Sequence, residues 1–294
     1  MHWQKISLVG VGLLGGSIGL SVRRRRLAAR VEGFVRRAAS ITECEQTGAV
    51  DKATRVLGQA VQDADLIIFC TPIAQMRELA EEMLHTMKRG AIVTDVGSVK
   101  GSVVEDLESL IAGAGGHFIG SHPMAGAEKM GVNAARHDLF ENALCVLTPT
   151  AKTPAGVTQK IEAFWNDIGA KPMRMTPELH DELVSRSSHL PHVVAAELAN
   201  YVLSPAHQKQ QAQLCASGFR DSTRIASGSP EMWRDISLAN RKNLARVLGV
   251  FIEDLQEFQL ALEQGDAKSI EEFFVNAKKR RDAWVSQSSS SPAE

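Results

Sequence analysis

Apolar residues recur in short runs over the first half of the chain and at helical spacing over the second. KISLVGVG (5–12) reads as a strand followed by a helical pattern through about Arg25, and RVEGFV (30–35) as a second strand with helix-like ITECEQTG after it. DLIIFCTP (65–72) is an apolar run bounded by turn formers, and IAQMRELAEEMLHTM (73–87) has helical periodicity. AIVTDVGS (91–98) is another strand, with a helix from about Gly101 to Ile111, and HFIGSHP (117–123) and ALCVLTP (143–149) complete the series. Strands alternating with helices predict a parallel sheet covered on both faces, an α/β Rossmann-type domain over residues 1–153.

After Pro154 the texture changes. One further strand is expected at KPMRMT (171–176), and then helices dominate. ELHDELVSRSSHLPHVVAAELANYVL (178–203) is a long helical pattern that Pro191 should disturb, because proline removes a backbone donor. WRDISLANRKNLARVLGVFIEDLQEFQLALEQG (233–265) predicts one long helix stopped by Gly265, and AKSIEEFFVNAKKRRDAW (267–284) a last helix. Residues 154–285 therefore predict an all-α domain for substrate binding and dimerisation, and the polar end a disordered tail over 286–294. These helices carry more apolar residues than one copy would bury, which predicts a homodimer formed through this domain.

Composition narrows the class. Hydrophobic residues make up 44% and charged residues 23% of the 294, which suits a globular chain with a real core. The net charge of −1 gives no electrostatic case for nucleic acid or an acidic membrane surface. No apolar run reaches the ~18–20 residues that span a bilayer. The start, MHWQKISLVG, runs directly into a strand pattern without the features of a signal peptide. Cys44, Cys70, Cys145 and Cys215 form no CxxC pair and no metal-ligand spacing with histidine, so a reducing, cytoplasmic setting and no metal site are expected.

VGVGLLGGSIGL (9–20) sets Gly10, Gly12 and Gly15 in GxGxxG spacing after a predicted strand and at the opening of a helix. That context makes it a dinucleotide-binding signal. Gly10 permits the tight turn, Gly12 lets the backbone approach a pyrophosphate, and Gly15 lets helix and strand pack closely. The free N–H groups of the first helical turn, at Leu13 and Leu14, meet the phosphates. An acid about 20 residues beyond the motif would bind the ribose hydroxyls of NAD. Val35 stands there, followed by Arg36 and Arg37, whose guanidinium groups suit the 2′-phosphate of NADP, so NADP is favoured over NAD. Thr71 and Pro72 follow a strand and should pass the nicotinamide ribose; Ser98 follows the next, at the carboxyl edge where such sheets bind ligands. His122, after a strand and flanked by Gly and Pro in GSHPMAG, is placed at that edge too. Either it is catalytic or it caps the turn.

GVGLLGGSIG, TDVGSVKG, GSHPMAGAEKMG, SHLPH and GFRDSTRIASGSPEMWRDI resemble, in order and over about residues 5–265, the prephenate/arogenate dehydrogenases of tyrosine biosynthesis. The resemblance implies NAD(P)-dependent oxidative decarboxylation of prephenate to 4-hydroxyphenylpyruvate, or of arogenate to tyrosine. It makes His122 the base that takes the ring hydroxyl proton, a task suited to imidazole at neutral pH. It makes Ser98 the hydroxyl that orients His122 or the substrate alcohol, and Arg224 the clamp for a substrate carboxylate. Ser188 and His192 of SHLPH would reach the substrate's side chain, and His189 would pack between helices. Asp181 would meet a substrate ammonium if it points inward, or help Asp221 hold Arg224 and the helical wall. Glu128 resembles a charged residue that ties domains or subunits together near the cleft, and Trp233 would pack at the pocket edge. The remaining histidines, His180 among them, read as surface or packing residues.

Three other readings share the layout. Imine and β-hydroxyacid dehydrogenases also place helices after a Rossmann domain, but several of them centre on a lysine rather than on a histidine with an arginine. A dual-specificity cyclohexadienyl dehydrogenase differs only in substrate range. A protein that senses NADPH without turnover would keep the fold and lose the chemistry.

Overall fold

The structure, a computed structural model, describes residues 3–126, 130–207 and 209–289. The chain forms two compact units, Met1–Asn243 and Leu244–Glu294.

The first unit is built on one sheet of eight strands: β1 (Trp3–Val9), β2 (Ala28–Phe34), β3 (Lys52–Thr54), β4 (Leu66–Phe69), β5 (Ile92–Asp95), β6 (His117–Pro123), β7 (Leu144–Thr148) and β8 (Lys171–Arg174). Their order is β3-β2-β1-β4-β5-β6-β7-β8. Every pairing from β3 through β6 is parallel. β7 pairs antiparallel with β6, and β8 runs alongside β7. The sheet is thus mostly parallel rather than wholly so. It also continues past residue 153, because α6 (Ala155–Asp167) and β8 extend it.

β4 and β5 are buried at every position, as strands covered on both faces must be. Period-two alternation sorts their side chains. Ile6, Leu8, Leu66, Ile68 and Ile92 join one core cluster, while Val9, Ile67, Phe69 and Val93 join the other. The crossovers are α1 (Leu13–Arg24), α2 (Ala38–Gln46), α3 (Leu57–Val61), α4 (Met76–Met83) and α5 (Gly101–Gly113).

Beyond β8 come α7 (Pro177–Val184), α8 (Leu190–Val202), α9 (Gln210–Gln213), α10 (Ser217–Thr223) and α11 (Pro230–Ala239). Ser185–His189 forms a π-helical turn between α7 and α8. This is the disturbance that Pro191 leads one to expect, displaced toward its N-terminal side, and wide turns of this kind recur at functional sites. The single helix expected over 233–265 is instead two, α11 and α12 (Arg241–Gln264). Asn240 interrupts them; it is the buried C-cap of α11.

In the second unit, the end of α12 turns at Gly265, whose φ of +65° favours glycine. Asp266 then caps α13 (Ala267–Ser289), accepting from the Ser269 N–H at 3.2 Å and the Lys268 N–H at 3.1 Å. α13 runs to Ser289, so residues 286–289, read as the start of the tail, are helical. Among the described residues no helix is long and apolar enough to cross a membrane.

Candidate active site

The parallel register brings the ends of β1, β4, β5 and β6 to one edge of the sheet. The glycine loop, Thr71–Pro72, residues 96–100 and His122 all sit there.

Gly10 has a φ of +97°, and a side chain on it would strike Thr71 Cγ2 at 2.9 Å. A Cβ on Gly15 would collide with the Gly10 carbonyl, so α1 can leave the loop this tightly only with glycine at both positions. At Gly12 a Cβ would meet nothing within 4 Å. Gly12 is the N-cap of α1 and makes no side-chain cap. The N–H groups of Leu13 and Leu14 therefore face an open cradle at the positive end of the helix, which fits a dinucleotide pyrophosphate. Thr71 Oγ1, buried beside the loop, has no partner among the described residues.

At the adenosine end of β2, Val35 is buried and donates its N–H to the Thr54 carbonyl at 3.0 Å. Arg36 and Arg37 are exposed. Arg55, which the sequence reading passed over, donates from Nε to the Arg36 carbonyl at 3.1 Å and brings a third guanidinium to this corner.

His122 lies in β6 and is 8% exposed. Its Nδ1 is 2.8 Å from His180 Nε2, and His180 Nδ1 is 2.8 Å from Asp181 Oδ1. Asp181 in turn accepts from the backbone N–H groups of Lys100 and Gly101, both at 2.8 Å, at the start of α5. A carboxylate can only accept, so His180 Nδ1 carries the proton and Nε2 accepts from His122 Nδ1–H. The unprotonated Nε2 of His122 is then left for a substrate, and it has no partner among the described residues. Burial pushes the His122 imidazole well below its ordinary pKa, and His180, Lys100 and His189 push the same way.

Below this series, Lys100 is fully buried and ion-paired to Asp95; it also donates to the Ser121 carbonyl at 2.9 Å. Burial lowers its pKa, against the pull of Asp95. The Asp181 carbonyl accepts from Asn240 Nδ2 at 2.8 Å, and that amide lies 3.2 Å from His189 Nδ1. Burial also brings His189 down to about 4.

The helical wall carries the other expected residues. His192 stacks on Trp233 with ring centroids 3.7 Å apart and donates from Nδ1 to the Ser188 carbonyl at 2.9 Å. Burial lowers its pKa, and Arg224 is close enough to lower it further. His189 is within electrostatic reach of Asp181, His180 and His192, which joins this wall to the His122 series. Arg224 and Asp221 are exposed, and Ser188 is half-buried. Glu128 lies outside the described residues.

Two placements differ from the sequence reading. The partner of His122 is His180, whereas Ser98, half-buried on the loop after β5, makes no side-chain hydrogen bond among the described residues. Asp181 does not turn toward a substrate: both oxygens are taken by α5 and His180, so it serves as a tie between sheet and helices. The sequence reading also treated His180 as packing and missed Lys100. The one signal for His180 was its place next to an acid in the first turns of a helix facing the sheet edge.

Two family models match the chain: the nucleotide-binding domain of prephenate dehydrogenase over residues 18–174, and its dimerization domain over 176–276. A prephenate dehydrogenase of Bacillus subtilis is 35% identical over 283 residues, covering 94% of this chain and 75% of the relative. The crystal structure of the Aquifex aeolicus prephenate dehydrogenase with hydroxyphenyl propionate and NAD+ superposes with a TM-score of 0.89 at 32% identity, covering 95% of this chain and 98% of that one. The arogenate dehydrogenase of Synechocystis gives a TM-score of 0.81 at 31% identity, covering 96% and 100%. With a glycine-loop nucleotide fold, a buried histidine at its carboxyl edge and matches of this extent, the chain belongs to the prephenate dehydrogenase family of NAD(P)-dependent oxidoreductases.

Proposed function

We propose that this protein oxidatively decarboxylates prephenate to 4-hydroxyphenylpyruvate, with His122 as the base. The observation that carries the reading is a buried imidazole whose Nδ1 is tied down while Nε2 is left free at the carboxyl edge of the sheet. A bound nicotinamide supplies the hydride acceptor at that edge. His122 Nε2 accepts the proton of the ring hydroxyl as the C4 hydride leaves, and the ring carboxylate departs as CO2 while the ring becomes aromatic. Ser98 is within the same loop system to hold the alcohol. Arg224, His192 and Ser188 bind the rest of the substrate from the helical wall, with Trp233 backing His192. Arg224 grips a carboxylate by its planar fork, and it does most good on the one that stays, since stabilising the leaving carboxylate in the ground state opposes CO2 loss. Asp221 supports this wall.

The cofactor reading is NADP in preference to NAD. It is supported by Arg36, Arg37 and Arg55 gathered where an acid would bind the ribose of NAD, and by Val35 being buried there. Arogenate is the second reading, favoured by the likeness to the Synechocystis enzyme. Prephenate ranks ahead because Asp181, the acid expected to meet an ammonium, has both oxygens occupied. The unpaired cysteines suit a reducing cytoplasm, and the apolar faces of α12 and α13 suit a homodimer.

The test is a four-way assay of prephenate and arogenate with NADP and NAD, followed by absorbance of the reduced nicotinamide. The highest kcat/KM should fall to prephenate with NADP. Dinucleotide binding with no turnover of either substrate would replace the enzyme reading with that of a nucleotide sensor.

A further inference from the structure

The base proposed above has an awkward environment. When His122 takes a proton it becomes a cation at a site that burial disfavours, near the Lys100 ammonium and two other imidazoles, and among the described residues no carboxylate touches it. The nearest acid on this line is Asp181, one imidazole away.

We infer that His180 is a positioning residue that fixes the tautomer of His122 and receives the charge of the abstracted proton beside Asp181. This rests on the reading of His122 as the base. The step is a double proton shift with no change of redox state in the protein. The substrate hydroxyl proton forms a bond to His122 Nε2, and the Nδ1–H bond of His122 breaks as that proton passes to His180 Nε2. His122 ends neutral in its other tautomer, and His180 becomes an imidazolium whose Nδ1–H is held by Asp181 Oδ1 at 2.8 Å. The reverse shift resets the site when the proton leaves for solvent.

Three features support this arrangement. His180 is fully buried, so water does not compete for either ring nitrogen. α7 is anchored at its start by Thr176, whose side chain accepts from the Leu179 N–H, and by Pro177 in the first turn, so the ring is carried on a fixed helix. Asp181 is held by two backbone donors at the positive end of α5, which keeps an anion in place without a counter-cation of its own. Among the described residues, the charged and titratable groups facing the pair are Lys100 of the loop before α5, Asp95 of β5, Cys145 of β7, His189 of the π turn and Asp181 itself. Of these, Asp181 alone is an acid in direct contact with either ring.

The experiment uses the full-length protein with 15N-labelled histidine, as wild type, His180→Phe and His180→Gln. In the wild type the His122 ring should show one tautomer, protonated at Nδ1. His180→Phe should turn this into a mixture, lower kcat by roughly 100-fold, and move the acid limb of the kcat profile to higher pH, because a group that pushes the His122 pKa down is removed, with dinucleotide affinity unchanged. His180→Gln, whose carbonyl can accept the Nδ1–H bond but cannot take the proton, should keep the single tautomer while kcat still falls and the acid limb still moves to higher pH. Folded His180→Phe and His180→Gln proteins with the wild-type tautomer, kcat and acid limb would overturn the inference. The tautomer measurement needs no substrate, so a wild type inert toward both prephenate and arogenate would sink the substrate assignment and the proton step with it, while the spectrum alone decides whether His180 fixes the His122 tautomer.

Discussion

In the proposed reaction His122 acts as a base only while neutral, and its surroundings keep it so. Burial, helped by His180, Lys100 and His189, holds its pKa well below 6.5, so protonation inactivates it only at low pH. The acid limb of kcat/KM should therefore fall below pH 6.5, with activity lost as pH drops through the depressed pKa and kept above it. His122→Asn should lower kcat by about 100-fold or more while the dinucleotide binds with wild-type affinity, as fluorescence titration would show. A variant that keeps most of its kcat would remove His122 as the base. At the cofactor corner beyond β2, Arg36→Asp should move kcat/KM toward NAD, because an exposed acid can then bind the ribose hydroxyls and one guanidinium is lost. An unchanged ratio would show that this corner does not touch the adenosine ribose. The placement of the glycine loop and of His122 at the sheet edge was legible because glycine spacing and a histidine after a strand carry their meaning locally. His180 and Asp181 were not. Adjacent helix residues point about 100° apart, and their alignment with His122 and α5 depends on how α7 docks on the sheet.

The break between α11 and α12 shows where periodicity misleads. The apolar spacing runs unbroken through residue 240, with no glycine or proline to mark a stop, so the pattern gives one helix. Asn240 ends α11 because its side chain is worth more elsewhere: buried, it donates to the Asp181 carbonyl at 2.8 Å and lies beside His189. A polar side chain committed to a partner far along the chain leaves no local trace in sequence. The same logic gives the element its energetic weight. Asn240→Ala would strand a buried carbonyl and an imidazole nitrogen, at a cost of about 1–3 kcal/mol. Urea unfolding should show that loss with an unchanged slope; a variant as stable as wild type would mean that the break is set by something other than this amide. By contrast the π turn was half legible. Pro191 signalled a fault, and only the packing of His189 against Asn240 and Trp233 decides that the fault takes the form of a wide turn.

Over the whole molecule, the strand-and-helix alternation was enough for the sheet through β6, but not for the reversal at β7. A strand's direction depends on its connection, and the sequence reading of 124–142 offered neither a hairpin turn nor a crossover helix to choose by. The second unit raises the opposite question, of what lies outside a single chain. Phe258 packs against Phe273 at 4.5 Å between ring centroids and against Phe274 at 5.8 Å, which pins α12 to α13. The same two helices leave Val250, Leu260, Leu262, Phe274, Val275 and Trp284 more than half exposed. Apolar faces of this extent mark contact surfaces on soluble proteins, and a matching family model that is itself named a dimerization domain points to a second copy. A two-fold interface presents the same patch from both sides, so one charge per chain becomes a like-charged pair across the axis or two buried ions beside it. Leu260→Glu with Val275→Glu should therefore turn a species of twice 31.9 kDa into one of 31.9 kDa by sedimentation equilibrium, with the circular dichroism of the helices retained. A wild type that sediments as a monomer at micromolar concentration, or a double variant that stays dimeric, would place these side chains outside the interface.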